Sequence, residues 1–232
     1  LEKANKTKDK MLSIIAHDLR SPLASVKQIV DLLSNEWKIY DQEVVSDLLN
    51  SLRNSTNDTF NLLENLLGWA QAQSGGLIFH PVASQINDII TETARLFNNA
   101  LKSKRISISA NKLPNATVFA DPQMIRLVLR NLLSNAVKFT PENGSIWIGI
   151  EEKANMVEIT IRDSGVGMDN ANLKYIFDEN FHYTTLGTLD ERGSGLGLKL
   201  AHEFVVINGG KLWAESALGV GTTIRFTLPK QA

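Results

Sequence analysis

Four short stretches of the sequence carry side chains whose types and spacing could do chemistry. The first is His17-Asp18-Leu19-Arg20-Ser21-Pro22-Leu23. An imidazole is a competent nucleophile near neutral pH, and the adjacent carboxylate of Asp18 can orient the ring and accept its proton. In the second stretch, Asn131, Asn135 and Lys138 recur at i, i+4 and i+7 and so share one side of a helix. Asn supplies a neutral oxygen for a hard cation and Lys a point charge for phosphate; a solvated polar stripe has the same spacing. The third is Asp163-Ser164-Gly165-Val166-Gly167. Asp163 continues the inward parity of Val157, Ile159 and Ile161, so its carboxylate needs a partner, which an amine on a ligand would provide. Gly165 and Gly167 let backbone approach a flat ligand closely, although an Asp-Ser-Gly turn alone would explain them. The fourth, Gly193-Ser194-Gly195-Leu196-Gly197-Leu198, opens a helix whose free N–H groups favour phosphate oxygens. It lacks the Gly-Lys-Ser/Thr ending of a Walker loop, and no strand feeds it as in a dinucleotide fold.

The elements that must position these residues fall into two groups. From Leu12 the apolar positions Leu12, Ile15, Leu19, Pro22, Val26, Ile29 and Leu33 alternate steps of three and four, a coiled-coil-like seam. His17 lies on the opposite, outward side. After a break at Asn35 to Asp41, a second amphipathic segment runs from about Glu43 to Ser74, with Val45, Leu48, Leu52, Thr59, Leu62, Leu66 and Trp69 on one face. A short connection between long helices predicts an antiparallel hairpin, and one hairpin cannot bury such a seam by itself. Two hairpins pairing into a homodimeric four-helix bundle would. Ser74-Gly75-Gly76 marks a boundary, giving expected domains of 1–75 and 76–232.

Beyond it the period changes. A strand is expected at Leu77 to His80, a helix from about Gln85 to Leu101, and short strands at Ile106 to Ser109 and Thr117 to Phe119. Asp121 reads as an N-cap with Pro122 at the first helical position, opening a helix to about Phe139. Strands Ser145 to Glu151 and Met156 to Arg162, a helix from about Leu196 to Ile207, and a closing hairpin of Lys211 to Glu215 and Thr222 to Leu228 complete the chain. Gly219 and Gly221 stand at the turn of that hairpin. The predicted class is α+β, with helices on one face of a mixed, mostly antiparallel sheet. The long polar segment between Phe177 and Gly193 suits a mobile lid.

Composition narrows the classes. The 232 residues carry a formal net charge of -1, with 43% hydrophobic and 21% charged side chains, so no bulk electrostatic attraction to nucleic acid or an anionic membrane is expected. With no cysteine, disulfide frameworks, thiolate metal sites and cysteine nucleophiles are excluded. No apolar run approaches the roughly 20 residues that span a bilayer. The charged opening LEKANKTKDK leads us to expect a piece of a longer protein, with a sensing or membrane portion upstream and this part in the cytoplasm.

In this order, the stretches resemble the boxes of the Bergerat-fold ATPases, and in particular those of sensor histidine kinases. Asn131 to Thr140 is similar to the N box, Asp163 to Gly167 to the first glycine box, Phe177 to Phe181 to the F box, and Gly193 to Gly197 to the second glycine box. The F box, Phe-Asp-Glu-Asn-Phe, departs from the family's usual proline-containing form. His17 to Leu23 resembles the phospho-acceptor H box. The resemblance implies a Bergerat-type α/β sandwich that binds ATP. Asn135, supported by Asn131, would ligate Mg²⁺, and Asp163 would accept from the adenine amino group. Lys138, Phe139, Gly165, Gly167, Gly193, Ser194, Gly195, Leu196 and Gly197 would complete the nucleotide site. It further implies autophosphorylation of His17, assisted by Asp18, and transfer to an aspartate of a response regulator. Ser21, one turn beyond His17, would orient water for the reverse dephosphorylation; its flexible hydroxyl predicts weak phosphatase activity. A Bergerat ATPase that drives conformational change has no use for an H box on a helical hairpin. Against a nucleotide-binding scaffold without transfer, every residue the transfer requires is present.

Overall fold

The computed structural model describes residues 19–20, 22–35, 39–73, 79–110, 114–177, 185–189, 195 and 197–231. The chain divides into two compact units, Leu1–Gly76 and Leu77–Ala232.

The first unit is helical. Residues 22–35 form α1 and Gln42–Gln73 form α2. Ile29 is buried, while Val26, Leu33, Val45, Leu48, Leu52 and Thr59 of the predicted seam are half-buried. Leu23, Val30, Leu49 and Phe60 are exposed, so one chain leaves substantial apolar surface uncovered. No helix among the described residues is long and apolar enough to cross a membrane.

In the second unit, β1 (Val82–Gln85), α3 (Ile86–Arg95), α4 (Asn98–Ser103), β2 (Ser107–Ser109), β3 (Thr117–Ala120) and α5 (Pro122–Phe139) come first. They are followed by β4 (Ser145–Glu152), β5 (Met156–Asp163), α6 (Asn170–Leu173), α7 (Gly197–Ile207), β6 (Leu212–Ala217) and β7 (Gly221–Pro229). Five strands form one sheet in the order β2-β4-β5-β7-β6. Only the β2–β4 pair is parallel, so the sheet is mixed and mostly antiparallel, as expected. β1 and β3 pair separately. α5 packs between α3 and α7 and against β5.

Alternation decides which side of the sheet is inner. Ile148, Ile161, Ile224 and Ala214 stand opposite one another across four strands, as do Ile150, Ile159, Phe226 and Leu212. Ile159 and Phe226 are fully buried, and so are Ile125, Leu129, Leu132 and Leu133 of α5 and Phe204 of α7. Each such side chain contributes roughly 1.5–3 kcal/mol by leaving water. This core holds the ends of β5 and α5 in place, and the site is built on those ends.

Two expected elements differ. The first described strand of the unit is Val82–Gln85; of the strand expected at Leu77 to His80, Leu77 and Ile78 lie outside the described residues and Phe79 and His80 are not in a strand. Pro81 has no N–H to offer, and the His80 N–H donates to Asp121 Oδ2 (3.1 Å) instead of a ladder. The helix expected from Gln85 to Leu101 is two helices. At its end the Leu96 and Phe97 N–H groups reach back only three residues, to Thr93 O and Ala94 O, tightening the turn. Asn98 and Asn99, weak helix formers, then open α4.

Candidate active site

α5 is fastened at its start. Asp121 Oδ1 accepts from the N–H groups of Gln123 (2.9 Å) and Met124 (3.3 Å), capping the first turn, and the Asp121 N–H donates to Asn208 Oδ1 (2.7 Å). With its apolar face committed to the core, the helix turns Asn131, Asn135 and Lys138 to its other side, where all three are half-buried. Asn131 Nδ2 donates to Leu127 O (3.1 Å), which aims its side-chain oxygen away from its own helix. The side chain of Asn135 makes no hydrogen bond among the described residues. Lys138 Nζ donates to Thr185 O (3.3 Å) and lies 4.8 Å from the centre of the Phe139 ring.

Asp163 ends β5 on the inner row and is buried. Oδ1 accepts from the N–H groups of Gly165 (2.9 Å) and Thr222 (3.1 Å), leaving Oδ2 without a hydrogen bond among the described residues. Burial pushes its carboxyl above the usual carboxylate range, against the pull of the backbone N–H groups of Gly165, Thr222 and Asp163 itself. The loop after it is tightly laced. The Val166 N–H donates to Phe139 O (3.1 Å) and the Gly219 N–H to Val166 O (2.8 Å). A Cβ at Gly165 would stand 2.5 Å from Phe139 O, and one at Gly167, where φ is +67°, would overlap Ala217 O. At both glycines the space a side chain would take is filled by atoms of this protein, not held open for a ligand.

α7 begins beside Asn131. A Cβ on Gly197 would lie 2.7 Å from Asn131 Oδ1, so any larger residue there would push the Asn131 side chain aside. Gly195 has φ of +66°, a left-handed conformation that suits glycine. Phe177 stacks on His202 of α7, with ring centres 5.6 Å apart. The structure thus brings together Asn131 and Gly197, and separately Phe139, Asp163, Gly165 and Gly167. Gly193, Ser194 and Leu196 lie outside the described residues, as do His17, Asp18 and Ser21.

Sequence reasoning missed four participants. Thr222 supplies a backbone donor to Asp163. Gly221, with φ of +117°, has no room for a Cβ because Asp163 O would overlap it. The signal was visible in Gly219-Val220-Gly221 but was read only as a turn. Lys104 and Thr188, 84 residues apart, meet at the end of α5 (2.7 Å). Of the expected lid between Phe177 and Gly193, residues 185–189 are described and are hydrogen-bonded to α5 through Thr185 and Thr188, and the rest lies outside the described residues.

Known families match both units. The His Kinase A (phospho-acceptor) domain matches residues 7–75, and the histidine kinase-, DNA gyrase B- and HSP90-like ATPase family matches residues 120–232. The catalytic domain of histidine kinase ThkA, solved nucleotide-free, is 30% identical with a TM-score of 0.56, covering 66% of this chain and 99% of that one. The chain belongs to the histidine kinases. A further relative is the adaptive-response sensory kinase SasA of Synechocystis sp., 33% identical over 230 residues, covering 96% of this chain and 59% of that protein. This histidine kinase chain therefore spans about three fifths of the curated relatives it first matches. Its fold also resembles ThkA solved in complex with the response regulator TrrA (TM-score 0.71, 23% identity, 99% of this chain and 66% of that chain). Within the kinase, α5, the Asp163 loop and the β6–β7 hairpin all fall inside the ATPase match. Lys104 lies before it.

Proposed function

We propose that this histidine kinase binds Mg²⁺-ATP in residues 76–232, phosphorylates its own His17 in residues 1–75, and passes the phosphoryl group to an aspartate of a response regulator. The carrying observation is Asp163. Its buried carboxylate has one oxygen occupied by backbone N–H groups and the other left for a donor such as the adenine amino group. Asn135 stands on the neighbouring helix as a neutral oxygen donor with no competing hydrogen bond among the described residues, supported by Asn131. That chemistry fits Mg²⁺, which binds few protein oxygens and takes the rest from phosphates and water. When bound, the ion offsets charge on the phosphates. Lys138 adds a cation, and the glycines of 193–197 with the start of α7 add N–H donors for phosphate oxygens.

In the transfer, a ring nitrogen of His17 attacks the γ-phosphorus. A P–N bond forms as the P–O bond to the β-phosphate breaks, ADP leaves with the electron pair, and the ring proton passes to Asp18. A carboxylate oxygen of the regulator's aspartate then attacks that phosphorus and the P–N bond breaks. Ser21 orients water for the reverse hydrolysis. ThkA, a relative, has been solved with a response regulator, which supports this class of partner. Exposed Leu23, Val30, Leu49 and Phe60 support a second copy as the cover for the first unit, forming a four-helix bundle. We place the activity in the cytoplasm, where ATP is available.

The test is incubation with Mg²⁺-ATP labelled at the γ-phosphate. Wild type is expected to acquire acid-labile, base-stable label, and His17→Gln none. ATP hydrolysis with unlabelled wild-type protein would instead make this an ATPase that drives conformational change.

A further inference from the structure

The last four carbonyls of an α-helix have no partner within it, so each must be satisfied from elsewhere. In α5 all four partners can be named. Ala136 O accepts from the Thr140 N–H (3.1 Å) and hydroxyl (2.6 Å), and Phe139 O from the Val166 N–H (3.1 Å). Val137 O and Lys138 O accept from Lys104 Nζ at 3.0 and 3.1 Å. Lys138 O also accepts from the Thr188 N–H (3.1 Å).

Lys104 is 3% exposed. Burying an ammonium is costly unless it meets strong acceptors, and the carbonyl end of a helix, the negative pole of its dipole, provides them. Lys104 is held there by its backbone as well: its N–H donates to Ala100 O (3.1 Å), and its carbonyl accepts from the Asn143 N–H (3.0 Å) in the turn after α5. The same Nζ donates to Thr188 Oγ1 at 2.7 Å. A hydroxyl that accepts from an ammonium still has its own hydrogen to give, and Lys138 O (3.1 Å) and Thr140 O (3.2 Å) both lie within reach. Lys138 Nζ in turn donates to Thr185 O. The chain at 185–188 is therefore closed onto the last turn of α5 through Lys104 and Thr188.

We infer that Lys104 and Thr188 form a clasp that positions Lys138 and the 185–188 segment on the phosphate side of the nucleotide site. This inference rests on the ATP-binding reading above. Both are positioning residues. They act through the end of α5, not on ligand, and Asp163 is held by a different set of bonds. Loss of the clasp should therefore weaken ligands that carry phosphates and spare the base.

Calorimetry on the whole chain with Mg²⁺-ATP, and competition with adenosine, tests this. Lys104→Met is expected to weaken Mg²⁺-ATP by about tenfold and Thr188→Val by about fivefold, with adenosine changed less than about twofold in both. The double variant should be no weaker than Lys104→Met alone, because the two residues act as one unit. Equal losses for ATP and adenosine, additive losses, or unchanged ATP affinity would each overturn the clasp. Should Lys104→Met fail to fold, Thr188→Val, which removes one half-buried hydroxyl, carries the same ligand comparison alone. Wild type that binds no ATP would overturn the ATP-binding reading and the clasp with it, whereas normal wild-type binding with unaltered variants overturns only the clasp.

Discussion

Asp163 shows how one carboxylate can oppose stability and serve binding. Its pKa is raised by burial, so the folded state holds its proton more readily than the unfolded chain does. The penalty for the charged form is present above the folded pKa and is relieved as pH falls through it towards the ordinary carboxylate value. Asp163→Asn keeps an oxygen for the Gly165 and Thr222 N–H groups while removing the buried charge. We therefore expect its Tm at neutral pH to equal or exceed that of wild type in a thermal melt. Its ATP affinity should nevertheless fall by roughly 1.5–3 kcal/mol in calorimetry, because the amide turns an NH₂ towards the adenine amino group. Wild-type ATP binding should weaken on acidification through the raised pKa, and the variant should lack that limb. Asn135→Ala should abolish autophosphorylation while circular dichroism stays unchanged, since a half-buried polar side chain outside the core is lost; activity at the wild-type level would show that other groups hold the metal. Asp163 was legible from strand parity alone. Lys104 was not, because a lysine in Lys102-Ser103-Lys104-Arg105 reads as surface until the fold sets it against α5.

Among elements, the β6–β7 hairpin does more than end the sheet. Gly221 brings its backbone against Asp163 O, and Thr222 donates to Asp163 Oδ1. Gly221→Ala adds a Cβ both to a left-handed φ and to a space occupied by a carbonyl, so one of the two strands must shift. A destabilisation of about 2–4 kcal/mol in denaturant melts is expected, together with weakened ATP binding. A variant with wild-type midpoint and affinity would show that the hairpin moves freely of Asp163. The glycines of this hairpin were visible in sequence, but their contact across 58 residues was not. Element boundaries failed where local chemistry was redirected. The His80 donor went to the Asp121 cap, and the turn at Leu96 and Phe97 tightened before α4.

At the scale of the whole molecule, two compact units divide the labour we propose. A phospho-acceptor in one and the nucleotide site in the other predict independent losses. His17→Gln should eliminate labelled phosphohistidine while leaving the calorimetric Kd for Mg²⁺-ATP within about twofold, as expected when acceptor and nucleotide site belong to separate units. A parallel fall in ATP affinity would mean that the histidine helps to hold nucleotide.

Much of this protein was determined by sequence alone: two amphipathic helices, the Asp121–Pro122 start of α5, the β4–β5 pair, the closing hairpin and the order of the chemical stretches. Each is written in near-neighbour spacing, where period 3.6, period 2 and cap residues act within a few positions. Tertiary structure alone decided which oxygen of Asp163 stays available, that Gly197 meets the Asn131 side chain, and that Lys104 meets Thr188 at the end of α5. Those outcomes depend on which backbone groups are left unsatisfied once distant elements pack, and a buried donor or acceptor takes whatever partner the fold brings to it.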